Sequence, residues 1–115
     1  MNFINLTPHT VNVVDDSGNS ILSVAPSGAV ARVTTQQTVV GNVAGIDIVR
    51  TVFGDVDGLS APQPDTVYIV STLVLQSLKA NGIDRDDVVA PDTSPESVVR
   101  DNAGNIIGVR RFQVL

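Results

Sequence analysis

Apolar residues in most of this chain alternate with polar ones in short runs, and turn-forming clusters separate the runs. Phe3-Ile4-Asn5-Leu6 is one such run, ended by Thr7-Pro8, and Thr10 to Val14 is the next. The cluster Asp15-Asp16-Ser17-Gly18-Asn19 then leads into Ile21 to Val24, which is a hairpin pattern. Ala25-Pro26-Ser27-Gly28 is a second turn, followed by a strand over Val30-Ala31-Arg32-Val33-Thr34. Thr38 to Val43 and Ile46 to Phe53 flank Ala44-Gly45 as a further hairpin. On its second strand Ile46, Ile48, Arg50 and Val52 share one face by period two. Gly54 and Gly58 bracket Asp55 and Asp57 as a solvated turn, and Ala61-Pro62-Gln63-Pro64-Asp65 is a rigid connector.

The pattern changes at Thr66-Val67-Tyr68-Ile69-Val70, a continuous apolar strand that predicts burial on both faces, with Tyr68 in the core. It runs straight into the only helical pattern, residues 72–80. Ser71 is placed to cap the helix N-terminus, Gly82 to end it, and Lys79 to face its negative pole. Asp84 to Asp87 reads as a polar turn, Val88-Val89-Ala90 as a short strand, and Pro91 to Pro95 as a loop. A last hairpin, Ser97 to Arg100 and Asn105 to Phe112, closes the chain. Its turn resembles that of the first hairpin, which reads as convergent turn chemistry rather than a repeat unit. The pattern predicts an α+β fold, mainly antiparallel β, built as a sheet or small barrel-like structure with one α-helix packed on it.

Composition supports this reading. Val, Ile and Thr together number 38 against 7 Leu, eleven of the twelve acidic residues are Asp, and six of the seven basic residues are Arg. Asp prefers turns and caps, whereas Glu and Lys populate exposed helix faces. The 115 residues suit one domain, 1–115, which would bury roughly two-thirds of its extended surface without staples.

The absence of cysteine excludes disulfide frameworks, cysteine-ligated zinc, iron–sulfur clusters and thiol catalysis, and one histidine makes no His-rich metal site. No cofactor is expected. A net charge of −5 without a basic block, and with three Phe, one Tyr and no Trp, argues against long nucleic acid as a partner. The N-terminus lacks a basic leader pattern and no apolar run approaches the roughly 18 residues of a membrane span. A cytoplasmic protein is the simplest expectation.

Asn5-Leu6-Thr7-Pro8-His9-Thr10-Val11 resembles the start of a family of small, uncharacterised bacterial and phage-encoded proteins. The resemblance continues through Val49 to Gly54, Val67 to Ser71, Arg85 to Thr93 and Val99 to Asp101, so it spans most of the chain. It implies a context, a stand-alone accessory gene of phage or prophage origin, and brings no activity with it.

The best candidate site is the junction of the buried strand with the helix. There the first turn's free N–H groups, with the hydroxyls of Ser71 and Thr72, point beyond the strand's carboxyl end towards a phosphate or carboxylate. Ser71 as an ordinary N-cap is the competing structural reading, and the two roles are compatible. The loop at Asp92 lines the same end. Strand and loop arginines, Arg50 and Arg85 foremost, suit bidentate anion capture, against the alternative of cross-strand pairs with Asp. His9 is the only residue whose type can titrate near neutrality without a shift, and Pro8 places it at a strand start; general base, ligand contact and structural hydrogen bonding all fit it. No Ser–His–Asp spacing supports a triad.

These features favour a binding protein for a small anionic, nucleotide-derived ligand, in a phage context one that sequesters a defence signal. Its expected ligand-binding residues are His9, Arg50, Ser71, Thr72, Arg85 and Asp92, with no catalytic set. The alternatives are a small hydrolase of phosphate esters or glycosidic bonds, and a structural or protein-inhibitor module. A homo-oligomer is expected in every case, because a sheet covered by one helix leaves apolar surface exposed.

Overall fold

The structure, a computed structural model, describes residues 1–115. Its strands are β1 (Asn2–Asn5), β2 (Val11–Val14), β3 (Ser20–Val24), β4 (Arg32–Val43), β5 (Ile46–Asp57) and β6 (Thr66–Ile69). The helix α1 (Thr72–Ala80) follows, then β7 (Val88–Pro91), β8 (Val98–Arg100), β9 (Ile106–Val109) and β10 (Phe112–Gln113). The α+β reading with a single helix stands, and the sheets do not close into a barrel.

Three sheets share the strands. One is ordered β1-β6-β7-β10, the second β3-β2-β9-β8, and the third is the β4–β5 ribbon alone. Four strand pairings are antiparallel, but β1–β6, β6–β7 and β2–β9 are parallel. The parallel trio explains the texture of 66–70. With β1 and β7 on its two edges and α1 over one face, β6 needs apolar side chains on both sides, and Tyr68, Ile69 and Val70 are at most 1% exposed. The Tyr68 hydroxyl donates to the Ala61 carbonyl at 3.1 Å, so the connector is tied to the core.

Helix α1 begins and ends where local chemistry requires. Ser71 Oγ accepts from the Val74 N–H at 3.3 Å. At the other end Gly82 takes φ +71°, with its N–H donating to the Lys79 carbonyl and that of Ile83 to Leu78. This is the doubly bonded left-handed stop that glycine makes cheap. The helix buries Val74, Leu75 and Leu78 against Leu6, Tyr68, Val88 and Ala90. No helix is long and apolar enough to cross a membrane.

The two look-alike turns are built identically. Asp15 Oδ1 accepts from the N–H groups of Ser17 and Asn19, and Asp101 Oδ1 from those of Ala103 and Asn105, each at 2.9 Å. These donors hold the Asp101 carboxyl below its usual range.

Two local expectations are corrected. Residues 30–34 and 38–43 are not separate strands; one strand runs through Arg32–Val43. Nor is Gly54 to Gly58 a turn, because β5 continues through Asp57 and leaves Asp55 and Asp57 exposed along it. Gly54 tolerates this place because its carbonyl accepts from Ser77 Oγ (2.9 Å) and Asn81 Nδ2 (3.0 Å), and Thr34 O lies where a side chain would crowd it.

Candidate functional site

The sequence Asn5-Leu6-Thr7-Pro8-His9 is held by its first residue. Asn5, fully buried at the end of β1, donates through Nδ2 to the carbonyls of His9 (2.7 Å) and Val24 (3.0 Å). Its Oδ1 accepts from the Thr7 N–H (2.9 Å) and Thr7 Oγ1 (2.7 Å). Four hydrogen bonds use the whole capacity of an amide side chain and tie the loop between β1 and β2 to its buried root. Leu6 turns into the core beside it, which leaves Thr7, Pro8, His9 and Thr10 as a lip.

That lip borders a cleft of about 690 Å³. One wall is the carboxyl edge of the parallel sheet, from the β1–β2 loop across the Val70-Ser71-Thr72 junction to Pro91 and Thr93 after β7. The other wall is the second sheet, through Val11 and Asn12 of β2 and Ile106 to Val109 of β9. Crevices beyond the carboxyl ends of parallel strands are where open α/β sheets bind ligands, since the first turn of the crossover helix opens there. Gly108 keeps the far wall close: a Cβ on it would stand 3.0 Å from the Asn12 carbonyl oxygen and 3.1 Å from Val14 Cγ1. Val11, Val70, Ile106, Ile107 and Val109 supply its aliphatic lining, and serine and threonine hydroxyls with the Asn12 amide supply the polar part.

The cleft unites three of the six expected residues, His9, Ser71 and Thr72. Ser71 caps α1 through its hydroxyl and also lies in the lining of the cleft. Thr72 Oγ1 accepts from Gln113 Nε2 at 3.0 Å, and the same amide donates to the Pro91 carbonyl at 3.1 Å. Gln113 thereby holds the Thr72 hydroxyl at the cleft's edge. His9 is exposed at the lip; its carbonyl, rather than its ring, receives the Asn5 amide.

The other three expected residues lie elsewhere. Asp92 sits just behind the lining, where its carboxylate pairs with Arg111 and accepts from the Ser94 N–H at 2.9 Å. The Arg111 guanidinium and the Ser94 donors hold that carboxyl down to about 2. Asp92 therefore shapes the loop after β7 and does not face the cleft. Arg85 lies past the far end of α1. Its guanidinium grips both oxygens of Asp87 (2.7 and 2.8 Å), donates to the Ser60 carbonyl (3.0 Å) and lies 5.9 Å from the Tyr68 ring centre. The hydrogen bond to Asp87 raises the Arg85 pKa and lowers that of Asp87 despite partial burial. Arg50 stands on the exposed ribbon opposite Thr38.

No lysine or arginine lines the cleft, so positive potential there comes from the first-turn N–H groups of α1. Such a site suits a ligand with one anionic group, hydroxyls for the rim and an apolar ring for the Val/Ile wall. No His, Asp and Glu side chains cluster in threes to hold a metal ion. Asn5, Asn12 and Gln113 were missed from sequence. An asparagine in the Asn-Leu-Thr-Pro run signals a side-chain-built turn, whereas nothing local marks Gln113, 41 residues from Thr72.

An open mixed sheet with one crossover helix and a cleft at its carboxyl edge defines the class. No protein-family model, curated protein or solved structure matches the chain.

Proposed function

We propose that the protein captures a small anionic, nucleotide-derived ligand in this cleft and releases it unchanged. The supporting observation is the convergence of the α1 N-terminus, the Ser71 and Thr72 hydroxyls and His9 on one aliphatic-lined crevice. The anionic group sits at the helix N-terminus, ribose hydroxyls meet the rim, and the base packs on Ile106, Ile107 and Val109. No carboxylate stands in the lining to relay a proton with His9, which favours binding over hydrolysis. In the phage context that the Asn5-to-Val11 resemblance implies, such capture sequesters a defence signal.

The test incubates the protein with AMP, ADP-ribose and cyclic dinucleotides, removes free compound by filtration, heats the protein and analyses both fractions by mass spectrometry. Capture predicts an intact compound released only by heat, with retention reduced roughly tenfold or more in His9→Ala/Thr72→Val, as expected when two polar contacts are lost. A consumed compound with a new product would make the protein a hydrolase. No retention, or retention that the double variant leaves unchanged, removes the cleft as the site.

A further inference from the structure

Asn81-Gly82 is the only Asn-Gly pair in the chain, and it stands where α1 meets the β4–β5 ribbon, the arm that pairs with no other strand. The Asn81 side chain clamps the two together. Its Nδ2 donates to the Gly54 carbonyl of β5 at 3.0 Å and to Ser77 Oγ at 3.3 Å, and Ser77 Oγ donates to the same carbonyl at 2.9 Å. Ser77 is fully buried, whereas Asn81 and Gly82 are both exposed.

A glycine after an asparagine leaves the peptide nitrogen between them unshielded by a following Cβ. That nitrogen attacks the asparagine Cγ, the Cγ–Nδ2 bond breaks, and ammonia departs with the nitrogen's proton, leaving a five-membered succinimide. Water then opens the ring at one carbonyl to give aspartate, or at the other to give isoaspartate with its lengthened backbone. No oxidant or reductant takes part. In the closed helix stop the ring cannot form. A ψ of 7° at Asn81 eclipses Gly82 N with Asn81's own nitrogen, away from Cβ, and the Gly82 N–H is bonded to the Lys79 carbonyl at 3.1 Å. The exposed last turn of a helix, however, opens far more often than the body unfolds.

Conversion favours the open state. A carboxylate accepts and does not donate, so it repels the Gly54 carbonyl that the amide held. It also adds negative charge at the negative pole of α1. Ser77 Oγ alone is then left to hold Gly54.

We propose that Asn81 is a deamidation site gated by the glycine stop of α1, and that its conversion loosens the β4–β5 ribbon from the helix. Nothing in this chemistry depends on the cleft.

The test holds the native protein at mildly alkaline pH beside a synthetic peptide of residues 80–85, the fragment that trypsin cuts out after Lys79 and Arg85. The fragment from the protein should gain one dalton and contain isoaspartate, several-fold more slowly than the free peptide. Converted protein, separated on an anion exchanger by its extra charge, should exchange its β5 amides from Phe53 to Asp57 with deuterium several-fold faster than the unconverted fraction. Asn81→Asp should share that faster exchange; should the variant misfold, the separated fraction decides. A fragment that stays intact over many half-lives of the free peptide overturns the proposal. So does conversion as fast as in the peptide, which removes the gate, or deuterium exchange that conversion leaves unchanged, which removes the clamp.

Discussion

The β6 strand and the tip of the β4–β5 ribbon are made from the same residues and meet opposite fates. Ile69 and Val70 are wholly buried, while Val39 is 57% and Ile46 70% exposed. Intrinsic preference does not separate them, since Val and Ile favour strands in both places. Connectivity does. Parallel partners demand a crossover, the crossover between β6 and β7 is α1, and the helix that joins them also covers them. A hairpin closed by Ala44-Gly45 returns the chain beside itself and brings no cover. A strand pattern therefore predicts pairing, and burial depends on what the connection carries with it.

Core truncation should open this contrast widest. Ile69→Ala is expected to cost about 2–5 kcal/mol in urea denaturation, independent of protein concentration. Val49→Ala on the arm should cost far less, because Val49 is already half exposed and little apolar area is lost with it. Equal losses would erase the distinction between body and arm.

Next in size is Asn5→Ala, which removes the acceptor of the Thr7 N–H and the amide donors to the carbonyls of His9 and Val24, the His9 carbonyl keeping only Thr7 Oγ1. A stability loss of about 1–3 kcal/mol is expected, accompanied by loss of ligand retention in the filtration assay. Retention that survives would separate the lip from the site.

Acid should weaken the body through specific pairs. The carboxyls of Asp92, at about 2, and of Asp87 lie below their unfolded value. Their contribution is thus fully present above that value and is lost as pH falls through the folded ones. Thermal unfolding should show stability declining from about pH 4 towards pH 2, and Asp92→Asn should flatten part of that decline. An unchanged profile in the variant would remove the Arg111 pair as a cause.

The smallest effect belongs to the arm's turn. Ala44 is held at φ 52°, a left-handed conformation that costs a Cβ-bearing residue about 1–2 kcal/mol. Ala44→Asn produces the Asn-Gly pair this turn prefers and should raise stability by a few tenths to about 1 kcal/mol. A loss instead would show that the tip is shaped by its contacts rather than by the turn.

Much of the architecture was legible where the causes are local. The Asp15 and Asp101 turns, the Ser71 cap and the Gly82 stop each depend on hydrogen bonds within a few residues. The doubly buried character of β6 showed in its unbroken apolar run. The polar stretch Thr35-Gln36-Gln37 looked like a break between strands, yet both faces of the ribbon there are open, so polar residues interrupt nothing.

The site divides along the same line. Ser71, Thr72 and His9 were identifiable because a cap, a helix start and a post-proline strand entry are local features. The sequence by itself determined the one helix with its cap and stop and the Asp-built hairpin turns, since each is decided by bonds and steric preferences spanning a few residues, whereas the length of the β4–β5 ribbon was not legible in it. Only the tertiary structure decided that β1, β6 and β7 lie parallel and that Gln113 reaches Thr72. It also turned Arg85 and Asp92 inward to Asp87 and Arg111, and left Arg50 on a bare arm. Those outcomes depend on which distant segments meet, and an arginine's chemistry is the same whether its carboxylate partner comes from the protein or from a ligand.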